Sequence, residues 1–186
     1  MITKATKHKR QRHDRLIRMI SNEPFLTDEQ IAERLSVSIP TVRLDRIDLG
    51  IKELRERIRD IADSTQKKVK SLGNKDIVGS LLEVSLNQRG MAILETTKDM
   101  TFEKTDVVRG EFIYSFAEST AISIIDANAA LVGVANIKYK VPVRPDEKLI
   151  AKAEVKKIRN MNFITWVMVY RNDTEVFKGK FILTGI

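Results

Sequence analysis

Cysteine is absent from the 186 residues, and histidine occurs only twice, at His8 and His13. Without cysteine the chain can form neither a disulfide nor a thiolate metal site, which fits a cytoplasmic protein. With both imidazoles near the start, the remainder holds no histidine base, no Ser/His/Asp triad and no Cys or His metal site. Long apolar runs are also missing. Nothing approaches the roughly 20 residues of a membrane span, and the polar start MITKATKHKRQRHDR has no apolar signal stretch. What is present is enough for a core: 42% of residues are hydrophobic, in a chain that accommodates one ordinary domain and a small one.

Charge is concentrated at the start. Lys4, Lys7, Lys9, Arg10, Arg12, Arg15 and Arg18 face one acid, Asp14, so six of the eight net positive charges lie in the first 18 residues. Such an arm attracts phosphates without reading sequence, and a merely solvated basic tail has the same composition.

From Leu16 the pattern becomes helical and stops at Pro24. Thr27 with Gln30 forms a capping box for a second helix, whose inner face is Ile31, Ala32 and Leu35. After the turn Ser36-Val37-Ser38, Ser38 caps a third helix with Pro40 in its first turn, where a missing N–H costs nothing. Two short helices with a three-residue joint make a helix-turn-helix. In that motif the second helix enters the major groove, so Ser38, Pro40, Thr41, Arg43 and Arg46 are the candidate DNA-contacting residues, while Val42 and Leu44 hold the helix in place. The basic arm adds Lys7, Lys9, Arg10, Arg12 and Arg15.

Beyond Gly50, the positions Ile47, Ile51, Leu54, Ile58, Ile61 and Thr65 form an apolar seam in a charged segment, which predicts an amphipathic helix ending near Gly73. The seam suits pairing with a second subunit or docking on either domain. Strands are then expected at 77–86, 91–97, 131–141, 148–159, 162–170 and 176–184, separated by turn signals such as Asn172-Asp173. Between the second and third strands, residues 112–125 are apolar around most of a helix, as in a helix covered by a sheet. The reading is α+β: residues 1–49 a basic arm and helix-turn-helix, 50–73 a linker helix, and 74–186 an antiparallel sheet with one buried helix.

Just ahead of the buried helix stands Arg109-Gly110. A guanidinium grips a carboxylate with two parallel hydrogen bonds, and glycine opens the amides at a helix start to a ligand. An ordinary turn uses the same pair of residues.

A β-β-α-β-β-β-β order around one apolar helix resembles the hot-dog fold, in which a curved sheet wraps a central helix and paired subunits form acyl-thioester sites. With LTDEQIAERLSVSIPTVRLDRIDLGIKELRERI before it and FEKTDVVRGEFIYSFAESTAISIIDANAALVGVANIKYK within it, the whole chain resembles the malonyl-CoA-responsive repressors of bacterial fatty-acid and phospholipid synthesis genes. That resemblance implies a homodimer on a double-stranded, inverted-repeat operator, released by malonyl-CoA as effector, with no cofactor and no catalytic residue. It implies further that Arg109 pairs with the malonyl carboxylate, that Gly110 gives the acyl group room, and that Phe102 and Leu131 line the pocket. Lys138, Lys140, Lys152, Lys156 and Lys157 are available as a rim for the CoA phosphates, although strand lysines are usually just solvated. The competing class is a hot-dog acyl-CoA thioesterase with an attached nucleic-acid-binding domain. For that reading Glu118 and Ser119 on the buried helix are the remaining candidates, since a buried Glu with a raised pKa can act as a base.

Overall fold

A computed structural model of the chain describes the backbone of residues 4–186 and side chains from His8 onward. The chain divides into two compact units, Met1–Asp60 and Ile61–Ile186.

The first unit holds α1 (Lys4–Asn22), α2 (Asp28–Leu35) and α3 (Ile39–Asp48), around a core of Leu16, Leu26, Ile31, Ala32, Leu35 and Val42. Both capping expectations hold. Thr27 and Gln30 exchange hydrogen bonds of 3.3 and 3.0 Å, and the Ser38 hydroxyl accepts from the Thr41 amide at 3.3 Å. Between α2 and α3, Ser36 takes the left-handed conformation (φ 55°) and returns its amide to the Ala32 and Glu33 carbonyls.

The basic arm is not an extension ahead of the helix, because α1 already begins at Lys4. Lys, Arg, Gln and Ala are good helix formers, and tertiary ion pairs hold the segment. The Arg12 guanidinium bonds both Asp45 oxygens at 2.5 and 2.9 Å, His13 Nε2 lies 2.9 Å from Asp45, and Lys9 Nζ lies 2.6 Å from Asp48. Periodicity alone could not show these partners on α3.

The linker helix α4 (Leu54–Gln66) is shorter than the seam suggested. Gly50 interrupts after α3 with φ +64°, a conformation that suits glycine, and the chain turns again at Gln66 instead of continuing to Gly73. Ile47 therefore belongs to α3 and not to the seam. Arg57 on α4 is 8% exposed and donates to the Leu26 carbonyl at 2.8 Å, tying the start of the linker to the first unit. Burial, with Arg46 adding to it, holds this guanidinium below its ordinary pKa.

In the second unit β1 (Ser80–Ser85), β2 (Arg89–Glu95), β3 (Ala130–Tyr139), β4 (Lys148–Arg159), β5 (Asn162–Arg171) and β6 (Thr174–Gly185) form one antiparallel sheet, ordered β1-β2-β4-β5-β6-β3. Helix α5 (Gly110–Ser123) connects β2 to β3 and packs on the inner face, where Phe116, Phe177, Phe181, Leu81, Leu149 and Leu183 are fully buried. The buried hydroxyls of Thr120 and Ser123 donate to carbonyls of their own helix, so they add no unpaired group to the core. The last four strands do not form a simple meander. β3 crosses to the far edge beside β6, with a register shift between Val132 and Val134.

β3 is consequently an edge along its whole length. Leu131, Val134 and Tyr139 are 61%, 54% and 45% exposed, and alternation along β3 marks the strand without marking a buried face.

Candidate functional site

The residues proposed for DNA contact divide into free and committed groups. Ser38 and Pro40 are exposed at the start of α3, with Thr41 partly covered beside them, and the two hydroxyls share a 2.9 Å hydrogen bond. Arg43 is exposed, its nearest acid being Asp28 at 3.6 Å. Arg46 departs from expectation: it is 4% exposed, bonds both oxygens of Asp28 at 2.8 and 2.9 Å, and reaches the Ile51 carbonyl at 3.3 Å. A guanidinium so placed braces α3 on α2 and presents no donors outward. Leu44 departs in the opposite sense, being 63% exposed instead of holding the helix down.

On α1, Arg10 and Arg15 are exposed, while Lys9 and Arg12 are occupied by Asp48 and Asp45. The Lys7 side chain lies outside the described residues. His13, Asp45 and Asp48 gather like metal ligands, yet Arg12 and Lys9 already balance these carboxylates.

The Asp45 carboxyl is held below its usual pKa by the Arg12 hydrogen bonds, helped by His13 and opposed by burial. A depressed native pKa stabilises the fold above the unfolded value, about 3.9, and that contribution is lost as pH falls through the native one. Asp45→Asn is therefore expected to cost the first unit about 2–3 kcal/mol at neutral pH, somewhat less than a fully buried pair. The penalty should shrink below about pH 4. Thermal melts of both proteins across pH check it; a penalty constant down to pH 2 would contradict the assignment to this carboxylate.

In the second unit a short 3-10 turn at Lys98–Met100 leads into a loop closed by a bridge between Thr101 and Val108. The Phe102 amide donates to Val107 and the Arg109 amide to Met100, so Phe102 and Arg109 stand on neighbouring rungs at the entrance to α5. Phe102 is 52% exposed. Arg109 is the N-cap of α5 but makes no side-chain capping bond. Its guanidinium lies 4.8 Å from the Phe112 ring centroid and 3.4 Å from Glu111, while Nε is buried with no hydrogen-bond partner. An uncapped helix start beside an unsatisfied guanidinium donor suits a carboxylate.

Gly110 is not open space. A Cβ there would stand 3.0 Å from Cζ and Oη of Tyr139, whose hydroxyl donates to the Gly110 carbonyl at 2.9 Å. Burial raises the pKa of Tyr139, and burial followed by the Glu118 carboxylate raises that of Tyr114, whose hydroxyl points to Glu118 at 3.3 Å. Neither tyrosine was a site candidate, since the only signal for Tyr139 is its place in an alternating strand 29 residues away. Leu131 does not join this cluster within one chain. It lies eight residues from Tyr139, about 26 Å along an extended strand. Lys140 is paired with Glu175 at 2.6 Å, which removes it from a free rim.

The thioesterase superfamily model matches residues 102–178. Over the full length, the transcription factor FapR of Thermoanaerobacter sp. (strain X514) is 48% identical, the match covering 100% of this chain and 92% of the relative. The chain belongs to the FapR family. FapR of Bacillus subtilis (strain 168) is 36% identical over 178 residues, covering 94% of this chain and 95% of its own. These FapR relatives are named as transcription factors and not as enzymes. Among solved structures, PH1136 from Pyrococcus horikoshii aligns with a TM-score of 0.58 at 25% identity, covering 64% of this chain and 91% of its own. Cj0977 from Campylobacter jejuni aligns at 0.63 and 15%, covering 68% and 91%, a likeness of fold. The chain thus joins a hot-dog, thioesterase-like sheet and helix to N-terminal helices.

Proposed function

We propose that the chain is a homodimeric, cytoplasmic repressor of fatty-acid and phospholipid synthesis genes, which binds an inverted-repeat operator and is released by malonyl-CoA. The observation that carries the effector assignment is the buried, unpartnered Nε of Arg109 at the uncapped start of α5, in a chain that also carries a helix-turn-helix. A free carboxylate on the acyl group answers that donor, which distinguishes malonyl-CoA from acetyl-CoA.

The unpaired edge of β3 supports a two-fold dimer. Pairing two β3 strands antiparallel extends the sheet and brings Leu131 of the partner subunit toward the Tyr139 end of this chain, where Gly110 and Arg109 lie. On this reading Leu131 lines the pocket from across the interface. Two recognition helices related by the same axis face two half-sites.

Operator binding measured with malonyl-CoA, acetyl-CoA and free CoA tests the proposal. Malonyl-CoA alone should release the DNA. Release by acetyl-CoA at equal concentration would separate the effect from the carboxylate, and steady liberation of CoA from malonyl-CoA would return the thioesterase reading.

A further inference from the structure

The outward face of α3 is apolar at its centre. Pro40, Leu44 and Ile47, spaced four and three apart, share one stripe, while Val42, Asp45 and Arg46 are buried on the opposite side. Ile47, at 72%, is the most exposed large apolar side chain among the described residues, and Leu44 is 63% exposed. Water does not favour such a stripe, and the fold of the first unit does not use it. Arg43 flanks it, and the acids of this helix are answered from α1, Asp45 by Arg12 and Asp48 by Lys9. A polyanion can therefore approach this face without meeting an uncompensated carboxylate on the helix.

The second helix of a helix-turn-helix lies in the major groove, and thymine is the base that presents an apolar group there, its 5-methyl. Three residues of helix rise about 4.5 Å, comparable with the roughly 3.4 Å between base pairs, so Leu44 and Ile47 reach neighbouring steps. We propose that Leu44 and Ile47 are specificity-determining residues that read thymine methyl groups in each operator half-site, with Arg43 supplying the adjacent polar contact. This inference rests on the DNA-binding reading above and adds to it which atoms of the base pairs are read.

The test uses the full-length chain without effector to recover preferred duplexes from a random pool. Each thymine of the recovered half-site is then replaced by uracil, which removes the methyl and leaves base pairing intact. Affinity should fall roughly fourfold for each methyl read, the worth of burying one methylene-sized group, and remain unchanged for uracil elsewhere. Leu44→Ala and Ile47→Ala should each weaken the thymine duplex and each erase the thymine-uracil difference at one position. Both side chains are exposed, so an unchanged melting curve should accompany each variant. Uracil duplexes that bind the parent chain as thymine duplexes do would overturn the proposal. Equal losses on both duplexes in the variants, or uracil sensitivity that persists in both, would do the same. Recovery of no duplex at all would overturn the DNA-binding reading, and this inference with it.

Discussion

Arg109→Ala is expected to hold the operator as tightly as the parent chain does and to ignore malonyl-CoA. The side chain belongs to the Ile61–Ile186 unit and caps nothing, so its removal leaves the helix-turn-helix and the start of α5 intact. What disappears is the donor set for a carboxylate. Truncating one partner of a buried charge pair costs about 2–5 kcal/mol, and a guanidinium that is 37% exposed belongs at the low end, about 2–3 kcal/mol, or roughly 30- to 150-fold in ligand affinity. Because driving a two-state equilibrium from mostly bound to mostly released takes about 5.5 kcal/mol of differential affinity, a loss of that size removes much of the switch. Gly110→Val should reach the same phenotype by another route. Its Cβ would press on Tyr139 Cζ and Oη at 3.0 Å, disturbing the bond to the Gly110 carbonyl and filling the start of α5. Gel-shift titration and calorimetry with malonyl-CoA decide the matter. Normal ligand affinity with normal release in Arg109→Ala would take this residue out of the mechanism.

The parts of the fold that were legible in the sequence are those set by local chemistry. Thr27 with Gln30, and Ser38 with Pro40, write their helix starts within four residues, and the structure keeps both caps. The apolar circumference of α5 and the strand alternation likewise depend on near neighbours, so their positions were readable to within a few residues. What was not legible depends on partners far along the chain. Arg46 reads as a surface base reader until Asp28, 18 residues earlier, is folded against it. The basic arm reads as a phosphate-seeking or merely solvated tail until Asp45 and Asp48 are folded against it. Leu44 looks like a core residue because helical spacing does not reveal which side of α3 the first unit covers. Tyr139 over Gly110 follows from β3 crossing to the sheet edge, a topological choice that no period in the strand encodes.

In the proposed dimer, that same crossing makes the β3 edge the point on which operator binding is expected to depend most. β3 offers ten residues of edge backbone, and from Ala130 to Ile137 it carries no charge to discourage pairing. Val134 and Asn136 sit opposite Ile182 and Lys180, whose side chains occupy the outer face of the sheet, away from α5. Changing both to lysine should leave the core of the second unit untouched while placing two charges on the edge, where Lys138 already adds a third. Across a two-fold axis these charges meet their own copies, so pairing becomes unfavourable. Sedimentation should then report a monomer with a near-native melting curve. Each molecule would carry one recognition helix, and losing the second half-site removes the effective-concentration gain of roughly 10²–10⁴ in operator affinity. Affinity for an isolated half-site, by contrast, should barely change. A double variant that still sediments as a dimer would place the interface away from β3; one that is monomeric yet binds the full operator at parental affinity would show that the operator is read by single subunits.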